Sequence, residues 1–178
     1  MTDPLFWRYA APEDAHDLKH NFCCTLPREG VPQGGGRRAY PSPPEARAQS
    51  IVKTLNVSKA TRTGQRILVG RDREGVAAVA AWHWIDRDVA MVDVVALSLR
   101  LRGNGFTYSN EMVDTVSAQI GGEAAERRLE EGILVAYIHT DNRASRAFAK
   151  RFGMDQVGEP DAHGYALHRV VLGFGEVV

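Results

Sequence analysis

Two features of this sequence combine residue types and spacing that suit chemistry. One is Asp93, an acid inside the apolar run Met91-Val92-Asp93-Val94-Val95, and the other is the segment Arg-Leu-Arg-Gly-Asn-Gly at 100–105. A carboxylate among apolar residues is costly to bury unless it is paired or takes up a proton. Such carboxylates are candidate proton acceptors in catalysis. The alternative interpretation is that Asp93 forms an ion pair with one of the arginines.

The segment 100–105 lies between a predicted strand and a predicted helix. The helix is indicated by apolar side chains at helical spacing, namely Tyr108, Met112, Val113, Val116 and Ile120. The first N–H groups of a helix are unpaired and carry partial positive charge, and glycines let the backbone approach a ligand closely. With Arg100 and Arg102 beside Gly103 and Gly105, the segment favours a phosphate or pyrophosphate ligand. Taken alone, a Gly-x-Gly after a strand favours a simple turn, because glycine occurs in the turns of any protein.

A second segment gives this loop its context. Residues 133–154 read as a strand, then Asn142, a short helix and Gly153, with eleven residues from Asn142 to Gly153. Together with Arg100-x-x-Gly103-x-Gly105, this order resembles the two landmarks of the GNAT (GCN5-related N-acetyltransferase) superfamily. The first landmark is its Arg/Gln-x-x-Gly-x-Gly/Ala pyrophosphate loop, and the second is the strand, Asn and helix that follow.

The resemblance implies an α/β (α+β) fold. We expect a single GNAT-like N-acetyltransferase domain over 1–178, with a mixed and mostly antiparallel twisted sheet of six or seven strands and about four helices. The length of 178 residues is itself sufficient for one domain with a sizeable core. In this fold the strand at 133–138 parts from the central strand, and the pantetheine arm of the cofactor lies in the cleft between them.

The resemblance also implies acetyl-CoA as acyl donor and a set of residues that contact it. These cofactor-binding residues would be Val94, Val95, Ala96, Arg100, Leu101, Arg102, Gly103, Asn104, Gly105, Phe106, Asn142 and Ser145. For Asn142 the alternative is a helix N-cap and nothing more. Asp93, or a water that it orders, would remove the proton of the acceptor amine.

In one position the sequence departs from the family pattern. Many members have a tyrosine seven residues after the asparagine, as general acid toward the leaving thiolate, and here that residue is Ala149. Tyr108 and Tyr137 are two candidate substitutes.

The remaining elements follow from local patterns. The ranges 66–71, 76–85 and the central strand predict an antiparallel meander of three strands. In the middle strand, His83 should face away from Trp82 and Trp84, and a packed or solvent-facing role is favoured over a catalytic one. The predicted second helix begins at the Ser42–Glu45 capping box and ends near Val57, with 58–64 as a polar connection.

Three further segments have less regular patterns. Gly121 and Gly122 are expected to interrupt the long helix after Ile120. The segment 27–44 is rich in Pro and Gly and is expected to be a flexible loop. By resemblance, this loop gives Arg37, Arg38 and Tyr40 a role at the acceptor pocket, although a tolerated insertion explains it equally well.

Composition limits the partners. Lys plus Arg and Asp plus Glu number 22 each, so the formal net charge of zero argues against a nucleic acid. No apolar run is long enough to span a membrane, and the first residues lack a signal-peptide pattern, so a cytoplasmic protein is expected. Cys23 and Cys24 supply no zinc spacing, and the pair His16 and His20 lacks the metalloprotease glutamate, so no metal is expected.

Three functions therefore compete. The first is transfer of an acetyl group from acetyl-CoA to a primary amine of an unidentified small molecule or protein. The second is a non-catalytic acyl-CoA-binding regulatory module, which Ala149 favours. The third is a toxin-like enzyme that acetylates aminoacyl-tRNA, which the neutral charge disfavours. Family members often dimerise, so a homodimer is consistent with the resemblance.

Overall fold

The computed structural model of the protein describes residues 4–25, 44–102 and 106–174. Seven strands form one mixed sheet in the order β1-β2-β3-β4-β5-β7-β6, in which β4 and β5 are parallel and the other neighbours are antiparallel. The strands are β1 Phe6–Tyr9, β2 Gln65–Asp72, β3 Gly75–Trp84, β4 Val89–Leu97, β5 Glu131–His139, β6 Asp155–Val157 and β7 Tyr165–Gly173. The predicted fold class and the three-strand meander β2-β3-β4 are confirmed.

Helices cover both faces of this sheet. They are α1 Asp14–His16, which continues into a π-helical turn at Asp17–Asn21, α2 Pro44–Thr54, α3 Val57–Thr63, α4 Thr107–Glu126 and α5 Arg143–Arg151, with a short 3₁₀ turn at Leu99–Leu101. No helix in the described ranges is both long and apolar enough to cross a membrane.

The two faces of the sheet have separate apolar cores. On one face, which we call the α4 face, Met112, Val116 and Ile120 of α4 pack with Trp82 and Leu134 of the sheet. On the other, the α2 face, Val52 of α2 and the residues Val57 and Ala60 of α3 pack against alternate residues of β2, β3 and β4. Because side chains alternate along a strand, β2, β3 and β4 each contribute to both cores.

The central strand β4 changes its pairing halfway along its length. Against β3, the register shifts between Ala81, which faces Val94, and Trp82, which faces Val92, so Asp93 is an extra residue in a β-bulge. Against β5, the last pair is Val92 with Ala136. The bulge and the end of the β4–β5 pairing therefore coincide, and beyond them the two strands part as a fork.

A buried carboxylate fixes the far end of α4 to the sheet. Glu123 accepts hydrogen bonds from Trp84 Nε1 at 2.7 Å, Arg66 Nε at 2.8 Å, Tyr9 Oη at 3.1 Å and Trp82 Nε1 at 3.4 Å. Partial burial, followed by the negative charge of Glu123, raises the pKa of Tyr9 to about 12. The hydrogen bond to Glu123 thus requires the protonated hydroxyl.

This raised pKa predicts how stability falls at alkaline pH. Tyr9 contributes stability that is fully present below about pH 10, its ordinary pKa, and that is lost as the pH rises from about 10 to about 12. We expect Tyr9→Phe to flatten the decline of the unfolding free energy over this window, as measured by urea titrations at closely spaced pH values. Parallel declines in wild type and variant would contradict the assignment, because lysines and arginines titrate identically in both proteins.

Two expectations about helices were wrong. Residues 58–64 are not a polar connection: Asn56 caps α3 by accepting the N–H of Lys59 at 3.0 Å, and Gly64 ends it with φ of +72°. Gly121 and Gly122 do not interrupt α4, which runs on to Glu126. Burial of Glu123 and Ala124 against the sheet outweighs the low helix propensity of two glycines.

Candidate active-site cleft

A cavity of about 410 Å³ opens where β4 and β5 part. Its walls are the diverging halves of these strands, the start of β7, and faces of α2, α4 and α5. The predicted separation of the strand at 133–138 from the central strand is present in the structure. A cleft of this kind presents backbone N–H and C=O groups that no longer pair across it, so an extended ligand arm can take their place.

Asp93 lies at the base of the fork, on the α2 face of the sheet. Its Oδ2 accepts a hydrogen bond from Gln65 Nε2 at 2.8 Å and lies 3.1 Å from His83 Nδ1. Its Oδ1 has no partner among the described residues, and 21 % of the side-chain surface is exposed. The carboxylate is thus held by one oxygen and open at the other, and the partner is not an arginine. Its role as a base stays a prediction.

His83 faces away from the two tryptophans, as expected. Trp82 and Trp84 direct their indole N–H groups to Glu123 on the α4 face, whereas His83 contacts Asp93 on the α2 face. An Nδ1–H on His83 would donate to Asp93, so His83 and Gln65 together fix the orientation of this carboxylate. Nothing in the sequence indicated a role for Gln65, because its contact with Asp93 depends on the register between β2 and β3.

The two faces of the cleft differ in polarity. On the α4 face most of the lining is apolar, from Met112 and Val116 of α4 and from Phe148, Ala149 and Phe152 of α5 and its end, and Ser109 and Arg151 are its polar members. On the α2 face the lining is polar and aromatic, with Asp93, Arg47, Tyr137, His139 and Tyr165. The cleft therefore offers an apolar channel on one side of the sheet and a polar chamber on the other.

The predicted phosphate loop is described only in part. Gly103, Asn104 and Gly105 lie outside the described residues, and Leu101 is buried just before them. The guanidinium of Arg100 binds Asp72, with Nη2 at 2.8 Å from Oδ1, and also donates to the carbonyls of Gly75 and Val76. This ion pair fastens the β2–β3 hairpin to the loop, so the Arg100 side chain is already engaged, and its cofactor role stays a prediction.

Arg102 and Arg151 are the cations that flank the glycine segment. Arg102 donates to the carbonyl of Cys24 and lines the cleft. Arg151 lies with its guanidinium carbon 4.2 Å from the ring centre of Phe106 and donates to Ser109 Oγ at 3.3 Å. Neither has a carboxylate partner within the described chain. Arg151 was missed from the sequence, because nothing there places the end of α5 beside Phe106.

The second predicted landmark begins as expected. Asn142 caps α5 by accepting the N–H of Ser145 at 3.0 Å, and both residues line the cleft. The capping role of Asn142 is therefore present, and its contact with a cofactor stays a prediction. Val94, Val95 and Ala96 also line the cleft, beyond the last β4–β5 pair.

The two candidate tyrosines occupy different environments. Ala149, at the usual tyrosine position, is buried in the cleft wall. Tyr108 is buried in the apolar core of the α4 face and does not line the cleft, whereas Tyr137 lines the cleft directly after Ala136, with 59 % of its surface exposed. Of the two tyrosines, Tyr137 is the one whose hydroxyl group can contact a ligand in the cleft.

Other sequence candidates lie elsewhere. His16 and His20 stack edge to face with their ring centres 4.9 Å apart, and no group of three metal-ligating side chains occurs in the part of the chain that the structure describes. Ser42 of the expected capping box and the residues Arg37, Arg38 and Tyr40 lie outside the described residues.

No protein-family model matches the sequence, and no curated protein matches it. Solved structures resemble the fold over nearly the whole chain. A phosphinothricin acetyltransferase of the GNAT superfamily from Sinorhizobium meliloti, in complex with acetyl-CoA, is 18 % identical, with a TM-score of 0.57 over 99 % of this chain and 92 % of that one.

Two further structures agree with this match. An N-acetyltransferase from Staphylococcus aureus is 12 % identical, with a TM-score of 0.55 over 97 % of this chain and 99 % of that one. A GNAT-family acetyltransferase from Elizabethkingia anophelis with bound acetyl-CoA is 7 % identical, with a TM-score of 0.55 over 96 % of this chain and 100 % of that one. Identities this low establish similarity of fold. The chain therefore has the fold of the GNAT acetyltransferases.

Proposed function

We propose that this protein is an acetyl-CoA-dependent N-acetyltransferase that moves the acetyl group to a primary amine by direct attack. The observation that carries this proposal is the fork between β4 and β5, where an apolar channel meets an open carboxylate oxygen of Asp93. Solved structures with the same fold and bound acetyl-CoA support the choice of donor. A cytoplasmic location is part of the proposal.

In this proposal each part of the cleft binds one part of the cofactor. The glycine segment, with Arg102 and Arg151, holds the pyrophosphate through charge-assisted hydrogen bonds. The backbone of Val94–Ala96 pairs with the pantetheine arm, and Ser145 and Asn142 contact it from the start of α5. Because donor and acceptor are held in one cleft, proximity supplies much of the acceleration.

The chemical steps follow from the positions of Asp93 and Tyr137. The amine enters as an ammonium ion and gives a proton to Oδ1 of Asp93. Its nitrogen attacks the thioester carbonyl carbon, the C–N bond forms, and the C–S bond breaks as CoA leaves with the electron pair. The thiolate takes the second nitrogen proton, directly or through the hydroxyl of Tyr137, which replaces the tyrosine absent at Ala149. The products are the amide, CoA thiol and one proton that Asp93 passes to water.

Calorimetric titration with acetyl-CoA, CoA and ADP tests the cofactor assignment. We expect one-to-one binding in the micromolar range for both CoA species. Arg151→Gln should weaken the binding of all three ligands by about 10-fold, because one charge-assisted hydrogen bond contributes about 1.5–3 kcal/mol. Arg62→Gln, on the exposed side of α3, is the matched control and should bind as wild type does.

Absence of heat and of thermal stabilisation with every ligand would contradict the proposed function. Turnover is then tested separately by release of CoA thiol against a series of amines. Binding without turnover would instead favour the acyl-CoA-binding module, which is the alternative that Ala149 suggests.

A further inference from the structure

The proposed function assigns no role to one of the cations that line the cleft. Three arginines line the cleft without a carboxylate partner among the described residues: Arg47, Arg102 and Arg151. Arg102 and Arg151 lie beside the glycine segment, on the arm of the fork that β4 forms. Arg47 lies on α2 and contacts the other arm, formed by β5 and β7.

The surroundings of Arg47 hold its guanidinium in a defined place. Its guanidinium carbon lies 4.3 Å from the ring centre of Tyr165. Tyr165 pairs with His139 of β5, and the two rings meet edge to face with centres 5.0 Å apart. A stacked guanidinium uses its flat face against the ring, so its N–H edge remains available for a carboxylate.

Asp161, a carboxylate whose pKa the charge of Arg47 lowers, has hydrogen-bond partners of its own. Asp161 accepts the backbone N–H groups of His163 at 2.8 Å and of Tyr165 at 2.9 Å. Its pKa is lowered first by the Tyr165 N–H and only last by the charge of Arg47, and the two side chains form no ion pair within 4.0 Å. Arg47 is thus a cation that lines the polar chamber of the cleft without a carboxylate partner among the residues that the structure describes.

The distance between this cation and Asp93 can be judged from the sheet. Asp93 and Tyr137 directly follow the last β4–β5 pair, whereas His139 lies two residues farther along β5 and pairs there with Tyr165 of β7. Two residues of a strand extend about 7 Å. Asp93, the sole carboxylate among the described residues that line the cleft, and Arg47 therefore stand at opposite ends of the chamber.

We propose that the acceptor is a primary amine that also carries a carboxylate several bonds away, with its ammonium at Asp93 and its carboxylate at Arg47. The aromatic rings of Tyr165 and His139 flank the carbon chain between the two ends. An α-amino acid carries both groups on one carbon, so it has the shortest span and is expected to be the poorest substrate of this class. This inference rests on the proposed function, since the acetyl group moves from the sulfur of acetyl-CoA to the amine nitrogen by the steps given above.

The test uses a series of ω-amino acids of increasing length: glycine, β-alanine, γ-aminobutyrate, δ-aminovalerate and ε-aminocaproate. Each is compared with the alkylamine of equal chain length, and CoA thiol release gives kcat and KM. For the longer acids we expect kcat/KM at least 10-fold above that of the matched alkylamine. In Arg47→Gln this preference should disappear through a higher KM for the acids, and Arg47→Lys should restore part of it. Arg62→Gln should keep the wild-type preference.

The outcomes separate this inference from the proposed function. Equal use of acids and alkylamines, or a best substrate with both groups on one carbon, would overturn the acceptor assignment while leaving the acetyltransferase intact. A weaker Kd for acetyl-CoA in Arg47→Gln would also overturn it, because Arg47 would then serve the cofactor. No acetyl-CoA binding by the wild-type protein would overturn the proposed function itself.

Discussion

Replacement of Asp93 by asparagine is expected to lower kcat by about 10²- to 10⁴-fold, the usual contribution of a positioned general base. The Kd for acetyl-CoA should not change, because asparagine has the same shape and its side-chain oxygen still accepts the hydrogen bond from Gln65. The loss should also shrink as the pH rises, since more of the amine then enters without the proton that Asp93 removes. Steady-state kinetics from neutral to alkaline pH, with calorimetry for the Kd, measure both effects.

A second acid provides the control for this experiment. Asp88, exposed in the β3–β4 connection and outside the cleft, should tolerate the same change to asparagine with kcat within about 2-fold of wild type. If Asp93→Asn retained most of its activity, the proton would go to another acceptor, such as water. If the loss were independent of pH, Asp93 would act in orienting the substrate instead of accepting its proton.

Replacement of Glu123 by alanine is expected to be the most destabilising change in this set, with a loss of about 3 kcal/mol in the free energy of unfolding. The variant leaves the indole N–H of the fully buried Trp82 and the guanidinium of Arg66 without their acceptor. The buried indole N–H then lacks the hydration that it has in the unfolded chain, and Arg66, which is partly exposed, loses its ion pair. Urea denaturation followed by circular dichroism measures the effect through the midpoint at an unchanged m-value.

The matched control lies less than one turn away on the same helix. Glu126 is exposed, and Glu126→Ala should change the unfolding free energy by less than about 0.5 kcal/mol. A similarly small effect of Glu123→Ala would mean that water enters and satisfies the four donors. Glu123→Gln should fall between the two, because it keeps an acceptor for the indoles and loses the charge that attracts Arg66.

Much of the fold could be predicted because its signals are local. The apolar runs of β2, β3 and β4 and the spacing from Asn142 to Gly153 each lie within one stretch of chain. The parting of β4 and β5 was expected from the resemblance to the GNAT superfamily. It is a property of the fold and needs no particular side chain.

The features that the sequence did not predict depend on contacts between residues that are far apart in the sequence. The partner of Arg100 is Asp72, 28 residues away, and a guanidinium near a glycine loop gives no sign of whether a carboxylate or a ligand will bind it. The continuity of α4 through Gly121 and Gly122 depends on the four donors that reach Glu123 from β1, β2 and β3. No window of the sequence contains this network.

For Asp93, the sequence predicted the residue as a candidate but not its surroundings. Its unusual place in an apolar run marked it as a candidate, but the sequence could not tell that a β-bulge begins there. The partners Gln65 and His83 come from two other strands and become neighbours only through register. Arg47 is a comparable case, since its helical neighbours do not reveal that Tyr165 lies beneath it.

Because of the bulge at Asp93, the number of residues in β4 determines which side chains face each side of the cleft. Side chains of a strand alternate between faces, and the extra residue resets this alternation, so that Val94 and Ala96 face α2 whereas Val95 and Leu97 face α4. Deletion of Asp93 would remove the bulge and restore regular pairing, with Val94 still opposite Ala81, so these four side chains would keep their faces. Deletion of Val95 instead would shift the alternation and move Ala96 and Leu97 to the opposite cores. An insertion or deletion beyond the bulge therefore changes the face of every later residue in β4. Among homologous chains, this half of the strand is where length variation is expected to be rarest.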